Sequence, residues 1–213
     1  MESVARSIAR RSLARSFSDR EDSYADEIGR IIEATYRVIQ RTGSVDPTMR
    51  DVLRDARLST EAFYRHFRSK DELLLALMTD GQERLASYLK HRMDKQTTRQ
   101  AKVRAWIEGV LAQASDQKAA ARTRPFVANR QRLSERFPVE QQQSVDVLVD
   151  LLIGALRPAH GAGGRERARR DAQAIYDVTL GALHRYLTNR TKPAAADVEH
   201  LVRFCLSAAS GKA

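Results

Sequence analysis

Three helix starts crowd into residues 48–73 of this chain, and their spacing restricts the fold more than any other feature of the sequence. Thr48 and Ser59 can each cap a helix, because a side-chain hydroxyl satisfies a backbone N–H that the first turn leaves unpaired. Ser69 and Glu72 form a third start, of the S-x-x-E capping-box kind. The helix that begins at Thr48 is short, because Leu58 and Ser59 break it.

The segment between Ser59 and Ser69 separates into an apolar face and a polar face. Phe63 and Phe67 stand four residues apart and therefore lie on one side of a helix. The positions that point away from them are Thr60, Glu61, Tyr64 and Arg65. A short helix, a tight turn and a second helix form the helix-turn-helix arrangement, whose second helix here presents a polar face to solvent.

The rest of the sequence predicts an all-α protein. Strong helix formers dominate, whereas glycine and proline number only 10 and 5 in 213 residues. A capping signature at Ser23 predicts the start of a first helix that ends at Gly43, and Ser69 begins a connector helix of about five turns. Further helices are expected at roughly 99–120, 125–137, 139–157, 165–189 and 194–209, with a loop over 158–164. The helix at 139–157 is apolar on several sides, which predicts the buried centre of a second domain.

Composition and motifs argue against membrane proteins, secreted proteins and enzymes. The longest apolar segment, 145–156, contains two aspartates and is too short to cross a bilayer core of ~30 Å. We see no secretory signal, and the single cysteine, Cys205, cannot form an internal disulfide, so we expect a cytoplasmic protein. The histidines lack metal-ligand spacing, and no glycine-rich nucleotide motif is present. We therefore expect no enzymatic activity, no cofactor and no metal.

The charge balance points to a polyanionic partner without locating its site. The net charge is +10, which favours association with nucleic acid. Residues 1–70 hold only +3 of it, as 14 basic minus 11 acidic side chains. Residues 1–22 carry five arginines and few large apolar side chains, which predicts a flexible basic arm. Such an arm either follows a DNA backbone or only keeps the protein soluble.

The stretch TMRDVLRDARLSTEAFYRHFRSKDEL at residues 48–73 resembles the DNA-binding signature of the TetR family of bacterial regulators. The matching positions are Thr48, Val52, Ala56, Leu58, Ser59, Tyr64, Arg65, His66, Phe67, Lys70 and Leu73. Arg57 departs from the signature, because the family usually has a glycine in this turn, where a left-handed backbone is favoured. We expect strain at Arg57 or a slightly different turn. Its side chain either reaches a phosphate or only faces solvent.

The resemblance implies two domains, a three-helix helix-turn-helix DNA-binding domain over 23–70 and a helical effector-binding and dimerisation domain over 71–213. It also assigns the DNA contacts. The base-reading candidates are Arg50, Thr60, Glu61, Ala62 and Arg65, and the phosphate-contact candidates are Thr48, Tyr64, His66 and Lys70. Arginine can donate two hydrogen bonds to guanine, glutamate can accept one from cytosine, and alanine can touch a thymine methyl group. Two alternatives stay open: Tyr64 and His66 as core residues, and Glu61 as a helix-dipole residue.

The function that the resemblance implies is an effector-responsive repressor. It would bind a palindromic double-stranded DNA operator as a homodimer through its two C-terminal helices, and a small-molecule ligand would release it. Candidate effector contacts are Trp106, Phe126, Arg130 and Tyr176, with ordinary core or surface roles as the alternative. Basic stretches over 84–104 and 118–136 indicate an anionic effector such as an acyl-coenzyme A thioester, unless they are only a solvated face. The alternatives to a repressor are an activator of the same family and a DNA-binding protein without a ligand.

Overall fold

The computed structural model describes residues 4–44, 46–156 and 162–210, with side chains over 23–44, 46–156 and 164–209. Every regular element in these ranges is helical, so the predicted all-α class is confirmed. The helices are α1 (Val4–Thr42), α2 (Met49–Ala56), α3 (Thr60–His66), α4 (Lys70–Asp94), α5 (Arg99–Ser115), α6 (Gln117–Arg136), α7 (Pro138–Leu156), α8 (Ala162–Asn189) and α9 (Ala195–Ser210). Among these described helices, none has the length and apolar character that a membrane span requires.

The chain divides into two compact units, Met1–Leu73 and Leu74–Ala213. The first unit contains α1, α2, α3 and the start of α4, and the second contains the rest of α4 and the helices from α5 to α9. The domain division that we expect from the sequence, after residue 70, lies three residues before the boundary between these units.

The first helix is much longer than its capping signature predicts. It begins at Val4, so the predicted start at Ser23 is wrong, and the segment that we expected to be a flexible arm has a helical backbone from Val4 onward. A capping signature is local and says nothing about the residues in front of it. Those residues include many alanines and arginines, which are good helix formers, and the helix continues through them.

The first unit packs α1 against α2 and α3 around a small apolar core. Ile31 and Ile39 of α1 are 0% and 1% exposed, and Phe63 of α3 is 2% exposed. The rings of Phe63 and Phe67 stack with centroids 5.5 Å apart, which confirms the predicted apolar pair. Burial of a side chain of this size contributes about 1.5–3 kcal/mol. These contacts therefore fix the orientation of the short helix α3.

Charged side chains of α1 hold α2 from the outside of this core. Arg37 Nε and Arg41 Nη1 donate to the two carboxylate oxygens of Asp55, at 2.7 and 3.0 Å. These two hydrogen bonds lower the pKa of Asp55. Arg30 Nη2 donates to the carbonyl oxygen of Ala56 at 2.7 Å, which satisfies an acceptor that the end of α2 leaves without a helical partner.

The predicted helix starts at Thr48, Ser59 and Ser69 are confirmed by their caps. Thr48 Oγ1 and Ser59 Oγ each accept a hydrogen bond from the backbone N–H three residues ahead, at 3.2 and 3.1 Å. Ser69 Oγ accepts the N–H of Glu72 at 3.2 Å. The Glu72 carboxylate accepts from the N–H of Arg68 at 2.5 Å, one residue earlier than a standard capping box. All three short-range signals therefore place their helices correctly.

The turn between α2 and α3 places a non-glycine residue in the left-handed region. Arg57 has φ 54° and ψ 47°. The N–H of Leu58 donates to the carbonyl oxygen of Leu53 at 3.1 Å, as in a Schellman helix end. An L-amino acid in this conformation costs about 1–2 kcal/mol. The turn is therefore left-handed, and Arg57 carries the expected strain.

The second unit has its core between α5, α7 and α8. Trp106 of α5 is 0% exposed, and its Nε1 donates to the carbonyl oxygen of Leu148 on α7 at 3.2 Å. Leu148 and Leu152 are buried, whereas Val147 is 46% exposed. The expectation that α7 is the buried centre is therefore met on one face only, because its other face reaches solvent.

The break between α5 and α6 lies earlier than the sequence predicts. The predicted helices end near 120 and restart near 125, but the structure breaks at Asp116. Asp116 Oδ1 accepts the N–H of Ala119 at 2.7 Å and so caps α6. Pro125 then lies inside α6 instead of starting a helix, at the cost of one backbone hydrogen bond.

Replacing Arg57 by glycine should stabilise the first unit. Glycine removes the left-handed strain of about 1–2 kcal/mol but makes the unfolded chain more flexible, so we expect a net gain of up to about 1 kcal/mol. Chemical unfolding of Arg57→Gly measures this gain. The matched control is Arg54→Gly, which puts glycine into the helical part of α2 and should cost about 1 kcal/mol. Equal losses in both variants would contradict strain at Arg57.

Candidate nucleic-acid interface

The polar side of α3 and the start of α2 form one exposed surface, which we call the reading face. It comprises Thr48, Arg50, Thr60, Glu61, Tyr64 and Arg65, all of them exposed. Tyr64 is 62% exposed, which is unusual for an aromatic residue and excludes the core role that the sequence left open. A helix whose polar side chains all face outward from a firmly packed base can enter a DNA groove.

Ala62 does not belong to the reading face. The sequence named it as a base-reading candidate, but the residue is only 5% exposed. It follows Glu61 and precedes Phe63, and the helical turn carries it to the side that packs against the core. Its methyl group is therefore not available to a thymine.

His66 is also turned away from the reading face. Its side chain is 5% exposed, and its Nε2 lies 2.6 Å from Glu27 Oε2 on α1. Tyr24 packs edge-on against the imidazole, with ring centroids 5.4 Å apart. The predicted phosphate contact by His66 does not fit this burial, and the alternative role within the packed domain fits it well.

The two remaining phosphate candidates already hold intramolecular partners. The Thr48 hydroxyl donates to Asp51 Oδ2 at 2.7 Å. Lys70 Nζ lies 2.7 Å from Asp46 Oδ1, and its side chain is 28% exposed. Lys70 is the first residue of α4, and the free N–H groups of a helix start favour an anion.

Two side chains of α1 support the reading face or the turn before it, and no local pattern in the sequence indicates either of them. Glu27 Oε2 accepts from Arg65 Nη1 at 3.3 Å as well as contacting His66. The hydrogen bond with His66 is the main cause that lowers the pKa of Glu27, and the charge of Arg65 adds to it. Arg30 supports the turn before α3, as described above. These partners lie 26 to 39 residues apart in sequence.

The four effector candidates of the second unit fall into two groups. The rings of Trp106 and Tyr176 lie 6.4 Å apart between centroids. Burial raises the pKa of Tyr176, and the positive charge of Arg130 partly offsets this rise, so Arg130 acts on the same place. Phe126 packs elsewhere, against the cluster of Leu74, Met78 and Leu133.

A buried hydroxyl without a partner lies next to Tyr176. Thr179 stands one turn further along α8 and is 0% exposed, and within the described residues its Oγ1 has no hydrogen-bond partner. Gln82 Oε1 of α4 is likewise buried and unpartnered among the described side chains. Thr35, the other fully buried threonine of the described core, donates to the carbonyl oxygen of Ile31 at 2.7 Å. Buried polar groups without hydrogen-bond partners are rare in proteins, and a bound ligand is one group that can supply the missing hydrogen bond.

A cavity of about 660 Å³ lies elsewhere in the second unit, between the starts of α5 and α8 and the ends of α7 and α9. None of the four effector candidates lines it. Its charged groups are already engaged, since Arg167 Nε lies 3.7 Å from Asp171 Oδ2 and Arg99 also has a partner. The polar groups near Tyr176 are therefore the better candidates for a ligand. Across the described residues, no group of acidic, histidine or cysteine side chains could hold a metal ion.

A helix-turn-helix with an exposed polar second helix, carried by an all-α chain with a separate second unit, defines a helix-turn-helix DNA-binding protein. Residues 31–77 match the family model of the bacterial regulatory proteins of the tetR family. This match covers the end of α1, the helix-turn-helix and the start of α4, so the predicted resemblance to the TetR family is confirmed for that part of the chain. None of the curated proteins matches the sequence.

Solved structures show the same fold at low sequence identity. The fatty acid degradation regulator FadR from Bacillus halodurans is 18% identical with a TM-score of 0.64, and the match covers 84% of this chain and 94% of that chain. FadR from Bacillus subtilis, in complex with stearoyl-CoA, is 16% identical with a TM-score of 0.61 over 86% and 98% of the two chains. The reduced form of NemR from E. coli is 19% identical with a TM-score of 0.64 over 85% and 96%.

Proposed function

We propose that this protein is a cytoplasmic, effector-responsive repressor that binds a palindromic DNA operator as a homodimer and leaves it when a small molecule binds the second unit. The observation that supports DNA binding is the reading face, a row of exposed polar side chains on α3, which packs against α1 through its apolar side. An activator of the same family would use the same face, and transcript levels after gene deletion separate the two modes. Target genes that fall instead of rise would indicate an activator.

The reading face supports a division of labour between bases and backbone. Arg50 and Arg65 can each donate two hydrogen bonds to O6 and N7 of guanine, and Glu61 can accept from N4 of cytosine. Thr60 can donate or accept. Tyr64 can donate to a phosphate oxygen. Thr48 can do so by turning its hydroxyl away from Asp51, and Lys70 can do so with a donor that Asp46 does not use.

The dimer surface that we propose lies on α8 and α9. Val178 on α8 is 41% exposed and Phe204 on α9 is 55% exposed, although both are apolar. Gly181 is exposed with open space above it, which lets a second helix approach closely. Arg104 of α5 holds α9 in place through both oxygens of Glu199, at 2.6 and 3.1 Å. Two such faces related by a two-fold axis form a four-helix bundle.

The effector site that we propose surrounds Tyr176 and Thr179, with Trp106 and Arg130 beside them. The unpartnered Thr179 hydroxyl supports a polar ligand group there, and Arg130 supports an anionic one. The similar FadR of Bacillus subtilis was solved with stearoyl-CoA, which is an anionic acyl thioester. Acyl-coenzyme A thioesters are therefore the first class to test. A protein that needs no effector would show no response to any of them.

Selection of bound sequences from a random duplex pool should yield a palindrome with half-sites about one helical turn apart. We expect Arg50→Ala to weaken binding to the selected site by about 1–3 kcal/mol, or roughly 5- to 150-fold, and to relax one base position in each half-site. Arg165→Ala, an equal loss of charge at an exposed position of α8, is the control and should leave base preference unchanged. Fluorescence anisotropy measures both. A pool without any enriched sequence would contradict the proposal.

Phe204→Glu should break the dimer. A carboxylate buried in the two-fold interface without a partner costs several kcal/mol, so we expect the dimer dissociation constant to rise about 100-fold or more. Light scattering at micromolar concentration should show a dimer for the wild type and a monomer for the variant. Val139→Glu places the same charge at a residue of α7 that is 63% exposed, and it should remain dimeric. A monomeric wild type would rule out the proposed assembly.

Thr179→Val should stabilise the protein and reduce its response to an acyl-coenzyme A. Valine has the shape of threonine without the unpartnered hydroxyl, so we expect a gain of about 1–3 kcal/mol in chemical unfolding. Thr35→Val removes a hydrogen bond that is made and should lose about 0.5–1.5 kcal/mol. Stearoyl-CoA should release wild-type protein from the selected operator at lower concentration than it releases Thr179→Val. An equal response of both proteins would exclude Thr179 from the effector site.

A further inference from the structure

Glu27 of α1 contacts both Arg65 and His66, two neighbouring residues at the end of α3. One carboxylate oxygen, Oε2, accepts from Arg65 Nη1 at 3.3 Å and contacts His66 Nε2 at 2.6 Å. The three side chains differ in exposure: that of His66 is 5% exposed, that of Glu27 20% and that of Arg65 44%. The carboxylate therefore stands between a buried imidazole behind it and an arginine that faces outward.

The position of Glu27 is fixed more firmly than its partial exposure implies. His66 makes the shorter contact and is itself packed against Tyr24. The hydrogen bond with His66 and the charges of Arg65, His66 and Arg30 all favour the ionised carboxylate. Arg30 is anchored in turn on the carbonyl oxygen of Ala56. Glu27 is thus a fixed negative charge at the edge of the reading face.

We infer that Glu27 is a specificity-determining residue that acts through Arg65. This inference rests on the proposed function, in which Arg65 reads a base. A guanidinium has five N–H donors, and the contact with Glu27 uses one of them, so a pair of donors stays available for O6 and N7 of one guanine. The Glu27 carboxylate restricts the orientations of the Arg65 guanidinium before DNA binds. An oriented pair of N–H donors discriminates between bases better than a freely rotating pair.

The Glu27 carboxylate should also weaken non-specific binding to DNA. Sequence-independent affinity comes from positive charges near phosphates, and Glu27 both neutralises Arg65 and repels the backbone. Removal of its charge therefore acts in opposite directions on two measurable quantities: affinity for arbitrary DNA rises, and preference for the operator falls. A residue that only stabilises the fold would lower both together.

The test compares Glu27→Gln with Asp26→Asn by selection from a random duplex pool, followed by affinity measurements on the selected operator and on a scrambled duplex. Asp26 is the adjacent residue of α1 and is exposed, so its replacement removes an equal charge at a matched place. We expect both variants to bind scrambled DNA a few-fold more tightly. Only Glu27→Gln should lose about tenfold in discrimination at one guanine position of each half-site.

Two further variants separate positioning from folding. In an Arg65→Ala background, Glu27→Gln should cause no further loss of discrimination, as a double-mutant cycle requires of residues that act as a pair. Glu27→Asp keeps the charge but withdraws the carboxylate, so it should lose discrimination without any gain on scrambled DNA. Thermal unfolding of each variant shows that it is folded.

The outcomes are distinct. Unchanged discrimination in Glu27→Gln, an equal loss in Asp26→Asn, or a loss that persists without Arg65 would each overturn the role of Glu27 while leaving the proposed function intact. A wild-type protein that enriches no sequence would overturn the proposed function as well. A guanine preference lost in both Glu27→Gln and Arg65→Ala, but kept in Asp26→Asn, is the expected result.

Discussion

The packing of α3 against α1 is the constraint on which the DNA-binding unit depends. α3 has only seven residues, and a helix of that length does not persist alone in water. Its shape and its direction both come from contacts with α1, through the apolar core around Phe63 and through the polar group at Glu27. A change in the α1 residues that make these contacts therefore alters the position of α3, although α1 contributes no residue to the reading face.

The sequence predicted the parts of this unit whose partners lie within one helical turn. Caps at Thr48 and Ser59 and the pair of Phe63 and Phe67 are local, so their spacing alone determines them. Local spacing did not indicate the burial of Ala62 and His66, because the packing of α1 decides which side of α3 faces solvent. Glu27 could not be found at all from a pattern, since it meets Arg65 across 38 residues.

In the second unit, conflicting local signals account for the differences. The sequence predicted a break between residues 120 and 125, but Asp116 caps α6 nine residues before Pro125, and the proline lies inside that helix. The meeting of Trp106 with Tyr176 depends on how α5 and α8 pack, which periodicity does not specify. Thr179 was not identified as an effector candidate, because a threonine within an apolar stripe resembles an ordinary core residue in the sequence. Only the structure shows that its hydroxyl has no hydrogen-bond partner among the described residues.

The left-handed residue in the turn before α3 has a consequence for how often the first unit opens. Strain at Arg57 lowers the free energy that keeps the first unit closed, so this unit opens more often than it would with glycine there. A ligand that binds only the folded form suppresses such opening by mass action. Under the proposed function the operator is that ligand. Copies bound to DNA would then open less often than free copies, so the operator would offset part of the strain at Arg57.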